Sequence, residues 1–180
     1  MKRSRSRIEI ALVTLAIAAA LGACKRKETV NVEKTAEEPP RMASLIHTGD
    51  PQSDSQLVTG FYDIEDHAWR WTQQRFSVVL HPPSGSAERG ATLTVQFSVP
   101  DAVIKKLKTI SLSGTIGSTP LTPETYTQAG PYTYTRDIPG KALNAEAVRI
   151  DFQLDKSLPP GNGDQRELGI IVSSVGLDAK

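Results

Sequence analysis

The stretch VRIDFQLD, residues 148–155, alternates apolar and polar side chains without a break. A second stretch, LTVQFSV at residues 93–99, repeats the same alternation. Side chains that point to opposite faces at successive positions are typical of a β-strand with one face in a core and the other in water. These two stretches therefore predict strands of half-buried sheets, and no long amphipathic helix is visible in the sequence.

Similar runs recur along the chain, separated by turn clusters such as PPSG at residues 82–85 and PPGNG at residues 159–163. We predict about eight strands, over residues 58–64, 68–72, 75–81, 91–99, 108–116, 131–138, 147–155 and 167–177. One helical turn is predicted between Pro100 and Lys108. Short, regularly spaced strands with one apolar face favour an all-β fold, an antiparallel two-sheet sandwich of the jelly-roll-like or immunoglobulin-like kind.

The composition excludes several classes of protein. The chain has 180 residues, a formal net charge of +1 and a single cysteine. This balance argues against a polybasic nucleic-acid binder, so no nucleic-acid partner is expected. One cysteine excludes an internal disulfide framework and any site that needs several cysteines for a metal.

The N-terminus has the pattern of a secretory signal peptide over residues 1–23. A basic segment at residues 2–7 precedes a short apolar run at residues 8–20. The sequence Leu21-Gly22-Ala23-Cys24 then resembles a bacterial lipobox. This resemblance implies that Cys24 is lipidated and becomes the acylated N-terminus of a lipoprotein. The alternative is an ordinary secreted protein with a free thiol at its new N-terminus.

The lipid anchor makes a membrane the first expected partner. Two or three acyl chains hold a protein on a bilayer where one chain gives only reversible binding. Lys25, and not an aspartate, follows Cys24, and the enterobacterial sorting rule would then place the lipoprotein in the outer membrane. Removing the four basic residues and the one acidic residue of the signal peptide leaves 17 basic and 19 acidic residues. The mature chain is therefore slightly acidic.

Residues 24–56 are polar, contain a Pro39-Pro40 pair and lack any sustained period. This composition predicts a flexible tether that begins at the lipidated Cys24. Leu45 and Ile46 within it can pack on the domain, so the boundary is set only approximately. The sandwich domain is predicted over residues 57–180.

The sequence contains none of the common catalytic motifs. It has no Gly-X-Ser-X-Gly elbow, no His-Glu-X-X-His pair and no glycine-rich phosphate loop. A glycosidase needs two facing carboxylates, and nothing in the sequence singles out such a pair. We therefore expect a protein that is not an enzyme.

Both tryptophans lie in the segment GFYDIEDHAWRWT, residues 60–72. On a strand, Trp69 and Trp71 point to one face and Arg70 to the other. An indole ring can stack on the C–H face of a sugar while charged side chains fix its hydroxyl groups. The alternative is that one or both tryptophans fill the core, the more frequent place for a tryptophan in a small sandwich.

A second polar segment, residues 159–169, leads into the last predicted strand. Asn162, Asp164 and loop carbonyls offer oxygen ligands of the kind that Ca²⁺ prefers. The favoured interpretation is a salt bridge between Asp164 and Arg166 that fixes the loop. A structural calcium stays as the alternative, and no other metal or cofactor is expected.

These two segments carry a family resemblance. Glu65 followed by Arg70-Trp71-Thr72, and then Asp164-X-Arg166-X-Leu168-Gly169, resemble a β-sandwich module found beside bacterial glycosyltransferases. The resemblance spans residues 58–178 and implies a module that serves carbohydrate-linked proteins without performing the chemistry. The residues that it singles out, as ligand contacts beside Trp69 or as residues that hold the sandwich together, are Glu65, Arg70, Trp71, Asp164 and Arg166.

The sequence thus leads to one function and one alternative. The leading hypothesis is a cell-envelope lipoprotein whose sandwich binds carbohydrate or envelope glycan through Trp69, Trp71 and nearby polar groups. The alternative is a structural or assembly lipoprotein whose sheet edge or face docks another envelope protein.

Overall fold

The computed structural model of the protein describes residues 42–161 and 163–180. The strands are Leu45–His47 (β1), Leu57–Phe61 (β2), Arg70–Leu80 (β3), Ala91–Val99 (β4), Ile110–Ile116 (β5), Thr119–Tyr126 (β6), Gly130–Ile138 (β7), Val148–Leu154 (β8) and Ile171–Ala179 (β9). The α-helices are Ser86–Arg89 (α1) and Asp101–Leu107 (α2). Short 3₁₀ helices cover Pro51–Gln56 and Gly140–Ala142.

All strand pairs are antiparallel, and they form two sheets. The first sheet has the order β7–β4–β9, and β1 and the start of β3 both pair with the remaining edge of β9. The second sheet has the order β6–β5–β8–β3–β2. The predicted all-β, antiparallel sandwich is confirmed, as is a helix within residues 100–108.

Strand β3 belongs to both sheets. Its first residues, Arg70 and Trp71, pair with β9 of the first sheet, whereas residues 75–80 pair with β8 of the second. The prediction of two separate strands at 68–72 and 75–81 is therefore wrong. Gln73 and Gln74, which separate the two predicted strands, lie where this one strand passes from the first sheet to the second.

The core lies between the sheets and is filled by the apolar side chains of the alternating strands. Phe76 of β3 lies opposite Phe152 of β8, and their rings stack with centroids 4.9 Å apart. Val78 and Ile150, the next pair along the same two strands, are fully buried. The stretch that predicted the fold thus supplies one wall of the core.

Two of the nine strands in the described part of the chain, β1 and β6, were not predicted. Strand β6 contains Pro120 and Pro123 and pairs with β5 at the end of the second sheet. Proline is tolerated in such an edge strand because no neighbour needs its missing N–H. Strand β1 has only three residues, and its polar surroundings conceal it in the sequence.

The predicted tether of residues 24–56 extends too far toward the domain. Residues 42–56, which we call the N-terminal arm, are part of the sandwich, because β1 pairs with β9 and Ile46 is only 2% exposed. The Gln56 amide donates to the carbonyls of Ala43 and Val79, at 3.0 and 2.8 Å. The sandwich therefore begins before the predicted boundary at Leu57.

The predicted signal peptide, the lipobox with Cys24 and the first part of the predicted tether lie outside the described residues. Among the residues that the structure does describe, no helix is both long and apolar enough to span a bilayer.

Replacing Ile46 by alanine tests whether the N-terminal arm is structural. The change removes a buried side chain, so we expect the free energy of unfolding to fall by about 2–5 kcal/mol in urea denaturation. Leu45→Ala is the matched control, because Leu45 is 54% exposed, and its cost should stay below about 1 kcal/mol. Equal effects of the two changes would show that the arm does not pack as described.

Candidate functional site

A tight turn before β3 positions the first tryptophan. The Glu65 amide donates to the Trp69 carbonyl at 2.9 Å, and the Trp69 amide donates back to the Glu65 carbonyl at 3.3 Å. Between them, Asp66 and His67 have φ angles of 50° and 54°, in the left-handed region that most residues avoid. This turn reverses the chain and places Trp69 directly before Arg70.

Arg70, one of the predicted ligand contacts, points into the protein and is 8% exposed. Its Nε donates to the Thr48 carbonyl at 2.7 Å, and one terminal nitrogen donates to the Tyr62 carbonyl at 3.0 Å. The other terminal nitrogen forms an ion pair with Asp54. The guanidinium therefore joins the N-terminal arm and Tyr62, which follows β2, to the start of β3, and these contacts give Arg70 a structural role.

Arg70→Met should destabilise the fold strongly. It removes three hydrogen bonds and leaves buried carbonyls without a donor, so we expect a loss of about 2–4 kcal/mol in the free energy of unfolding. Arg149→Met is the control, since the ion pair of Arg149 with Asp151 is half exposed and contributes at most about 1 kcal/mol. A similar small loss for both variants in denaturant unfolding would contradict the role given to Arg70.

The two tryptophans flank Arg70, and both are half-buried. Because Arg70 and Thr72 point inward, strand alternation directs Trp69 and Trp71 toward the outer face of the first sheet. Trp71 lies opposite Ile171 and also packs against the core cluster. Trp69 lies at the side of a depression on the same outer face.

This depression, which we call the sheet-face groove, crosses β9, β4 and β7. Its volume is about 550 Å³, within the range typical of small-ligand sites. Its outward-pointing lining residues combine apolar and small polar side chains: Trp69, Gln96, Ser98, Pro131, Thr133, Ile171 and Ser173. An exposed face with an indole beside amide and hydroxyl groups can hold a ligand that has both C–H faces and hydroxyl groups.

Gln96 is the polar side chain best placed to bind in the groove. It is exposed, and its amide makes no hydrogen bond to any residue within the described ranges. Ser173 is different, because its hydroxyl donates to the main-chain carbonyl of Gln96 at 3.1 Å. The Gln96 amide therefore has both a donor and an acceptor free for a ligand.

Glu65, Asp164 and Arg166, predicted as site residues, come together as an ion-pair cluster. Arg166 donates to Glu65 at 2.7 Å and to Asp164 at 2.9 Å, and its guanidinium lies 5.1 Å from the centre of the Tyr62 ring. The Tyr62 hydroxyl donates to the Glu167 carbonyl at 2.8 Å. The cluster ties the turn before β3 to the loop before β9, as the salt-bridge interpretation of Asp164 and Arg166 requires.

The same contacts involve Asp164, the carboxylate of the alternative calcium site. Hydrogen bonds from Arg166 hold the pKa of the Asp164 carboxyl below its usual value, and both Asp164 oxygens accept from that side chain. Asn162 lies outside the described residues, and within them no group of three or more His, Cys, Asp or Glu side chains is arranged to hold a metal. Within the described residues, the one carboxylate of the predicted calcium ligands, that of Asp164, is therefore paired with arginine.

Between this cluster and the groove, the backbone at Gly169 lies close to the backbone of β3 at Thr72. The Gly169 amide donates to the Thr72 carbonyl at 2.7 Å, and the Thr72 amide donates to the Ile170 carbonyl at 2.9 Å. A Cβ on Gly169 would lie 2.6 Å from Leu154 and 2.7 Å from the Thr72 hydroxyl. Glycine at this position lets β9 start against β3 and bring Ile171 beside Trp71.

The sequence did not identify four polar groove residues: Gln96, Ser98, Thr133 and Ser173. The sequence did contain a signal for two of them, because Gln96 and Ser98 occupy outward positions of β4, a strand that was predicted correctly. What was missing was the order of strands, which alone places β4 and β7 beside the segment that carries Trp69.

No family model matches the sequence, and no curated protein matches it. Among solved structures, the chain is similar to a carbohydrate-binding module CBM36 in complex with calcium and xylotriose, at 12% identity and a TM-score of 0.43, over 74% of this chain and 98% of that one. It is also similar to a mannan-recognising module, TmCBM27, at 10% identity and a TM-score of 0.44, over 77% of this chain and 97% of that one.

A third structure, the CBM36-1 domain of a xylanase from the hindgut metagenome of Trinervitermes trinervoides, has 12% identity and a TM-score of 0.38, over 73% of this chain and 94% of that one.

Proposed function

We propose that this protein is a membrane-anchored lipoprotein of the cell envelope whose sandwich binds carbohydrate in the sheet-face groove. The observation that carries the proposal is the half-buried Trp69 beside the free amide of Gln96 on an open sheet face. A sugar ring stacks its C–H face on the indole while its hydroxyl groups exchange hydrogen bonds with the amide.

In this proposal the groove holds a glycan, and its described lining combines an indole with amide and hydroxyl side chains. The shallow polar face of Ser98, Thr133 and Ser173 supports contact with one side of a glycan chain. This arrangement suits a module that holds a polymer.

The lipid anchor is the second part of the proposal, and the lipobox at residues 21–24 supports it. Eighteen residue steps separate Cys24 from Met42, which a chain can extend over at most about 65 Å. The sandwich would therefore stay close to the membrane and bind glycan of the envelope itself. Lys25 after Cys24 supports placement in the outer membrane.

Trp69→Ala tests the groove. Truncating an aromatic anchor at a binding site typically costs 2 kcal/mol or more, so binding of envelope polysaccharide to the detergent-solubilised full chain should weaken at least about tenfold. Gln96→Ala should weaken it about fivefold through the lost hydrogen bonds. Isothermal titration or a glycan array measures both.

Gln153→Ala is the matched control, because Gln153 is exposed on the outer face of the opposite sheet, and it should leave binding unchanged. A folded wild-type chain without affinity for any envelope glycan would overturn the proposal. A stable protein partner captured from membranes equally by the wild type and Trp69→Ala would favour the alternative of protein docking.

Cys24→Ser tests the anchor. Without its thiol the chain cannot take the thioether-linked diacylglycerol, so the protein should move from the membrane fraction to the soluble fraction and lose lipid mass in mass spectrometry. The unfolding curve of the Cys24→Ser protein is measured beside that of the wild type as the control for folding. A Cys24→Ser protein that still sediments with membranes would contradict lipid anchoring.

A further inference from the structure

A second depression, which we call the loop pocket, lies between α2 and the loop that joins β8 to β9. The helix contributes Ala102, Lys105 and Lys106, and the loop contributes residues 158–161 and Leu168. Its volume is about 580 Å³, also within the range of small-ligand sites. None of these residues lines the sheet-face groove, so the loop pocket is a separate surface.

The loop pocket contains two lysine side chains that are free to bind a negatively charged group. Lys105 and Lys106 are exposed, and neither forms an ion pair with any residue in the described ranges. Asp164, the carboxylate among the described lining residues, is already bound to Arg166, which lines the pocket too. Two ammonium groups are therefore available to a negative charge on a ligand.

The remaining wall of the loop pocket is apolar. It is lined by Leu158, Pro159, Pro160 and Leu168. A ligand that fits this combination has an anionic group on a ring with an apolar face. A charged sugar, whose ring carbons bear both an acidic group and C–H bonds, has this chemistry.

The chain itself keeps the two depressions close. Leu168 of the loop pocket is three residue steps from Ile171 of the groove, and Ala102 is four steps from Ser98. Since a chain spans at most about 3.6 Å per residue, the two Cα separations are at most about 11 and 14 Å. One oligosaccharide can therefore contact both depressions.

We infer that the glycan is acidic, and that its anionic sugars bind Lys105 and Lys106 in the loop pocket while neighbouring sugars stack on Trp69. This inference rests on the proposed function and adds the charge class of the ligand. The negative charge on the sugar is that of a carboxylate or a sulfate group. The probes below distinguish the two groups.

The test compares binding of four probes to the detergent-solubilised full chain: polygalacturonate, its methyl ester, dextran sulfate and polyglutamate. The wild type should bind polygalacturonate more tightly than the neutral ester, and rising salt should remove the difference. Lys105→Gln combined with Lys106→Gln should weaken polygalacturonate binding about five- to tenfold and leave ester binding unchanged. Tighter, lysine-dependent binding of dextran sulfate would identify sulfate as the charge.

Lys141→Gln is the matched control, since Lys141 is an exposed lysine outside both depressions, and it should change binding less than twofold. Circular dichroism and thermal unfolding of the double variant establish that α2 is intact. Ester bound as tightly as the acid, an equal loss in Lys141→Gln, or polyglutamate bound as tightly as polygalacturonate would each overturn the inference. No binding of any glycan, including the neutral ester, would instead overturn the proposed function.

Discussion

The inward position of the Arg70 side chain is the constraint on which the site depends. Its guanidinium holds main-chain carbonyls of two separate segments and one carboxylate, and a group with so many fixed partners has little freedom to turn outward. Because side chains alternate along a strand, an inward Arg70 commits Trp69 and Trp71 to the outer face. The hydrogen bonds of Arg70 thereby determine that Trp69, the candidate binding residue, lies on the outer face.

The ion-pair cluster around Arg166 extends this constraint to the neighbouring loop. Through Glu65 it holds the turn that carries Trp69, and through Asp164 it holds a wall of the loop pocket. The turn beside the sheet-face groove and the loop beside the loop pocket are thus held together by these ion pairs. A preorganised surface of this kind binds a ligand with a smaller loss of conformational entropy.

Much of the fold followed from the sequence because β4 and β8 alternate without interruption, and alternation is the direct consequence of a half-buried strand. Alternation did not predict β3 and β6 correctly, because other constraints determine their sequences. Strand β3 looked like two strands because its buried positions shift as it passes from one sheet to the other, and β6 was hidden by prolines that only an edge strand accepts.

Only part of the candidate site is visible in local sequence. Trp69 and the residues Glu65, Asp164 and Arg166 stand out there, whereas the partners of Arg70 in the N-terminal arm are distant in the chain and leave no local signal. Gln96 and the lysines of α2 carry no local motif. The strand order brings Gln96 close to Trp69 and brings the lysines close to the loop before β9. That order depends on contacts between residues far apart in the chain, so the local sequence does not reveal it.

Amide chemical-shift mapping of the isotope-labelled protein, titrated with a galacturonate trisaccharide, tests the central claim most directly. The account predicts saturable shifts at the amides of Trp69, Gln96 and Thr133 on the outer face of the first sheet. Shifts confined to Ser113, Asp151 and Gln153 on the opposite face, or no saturable shift at all, would contradict it.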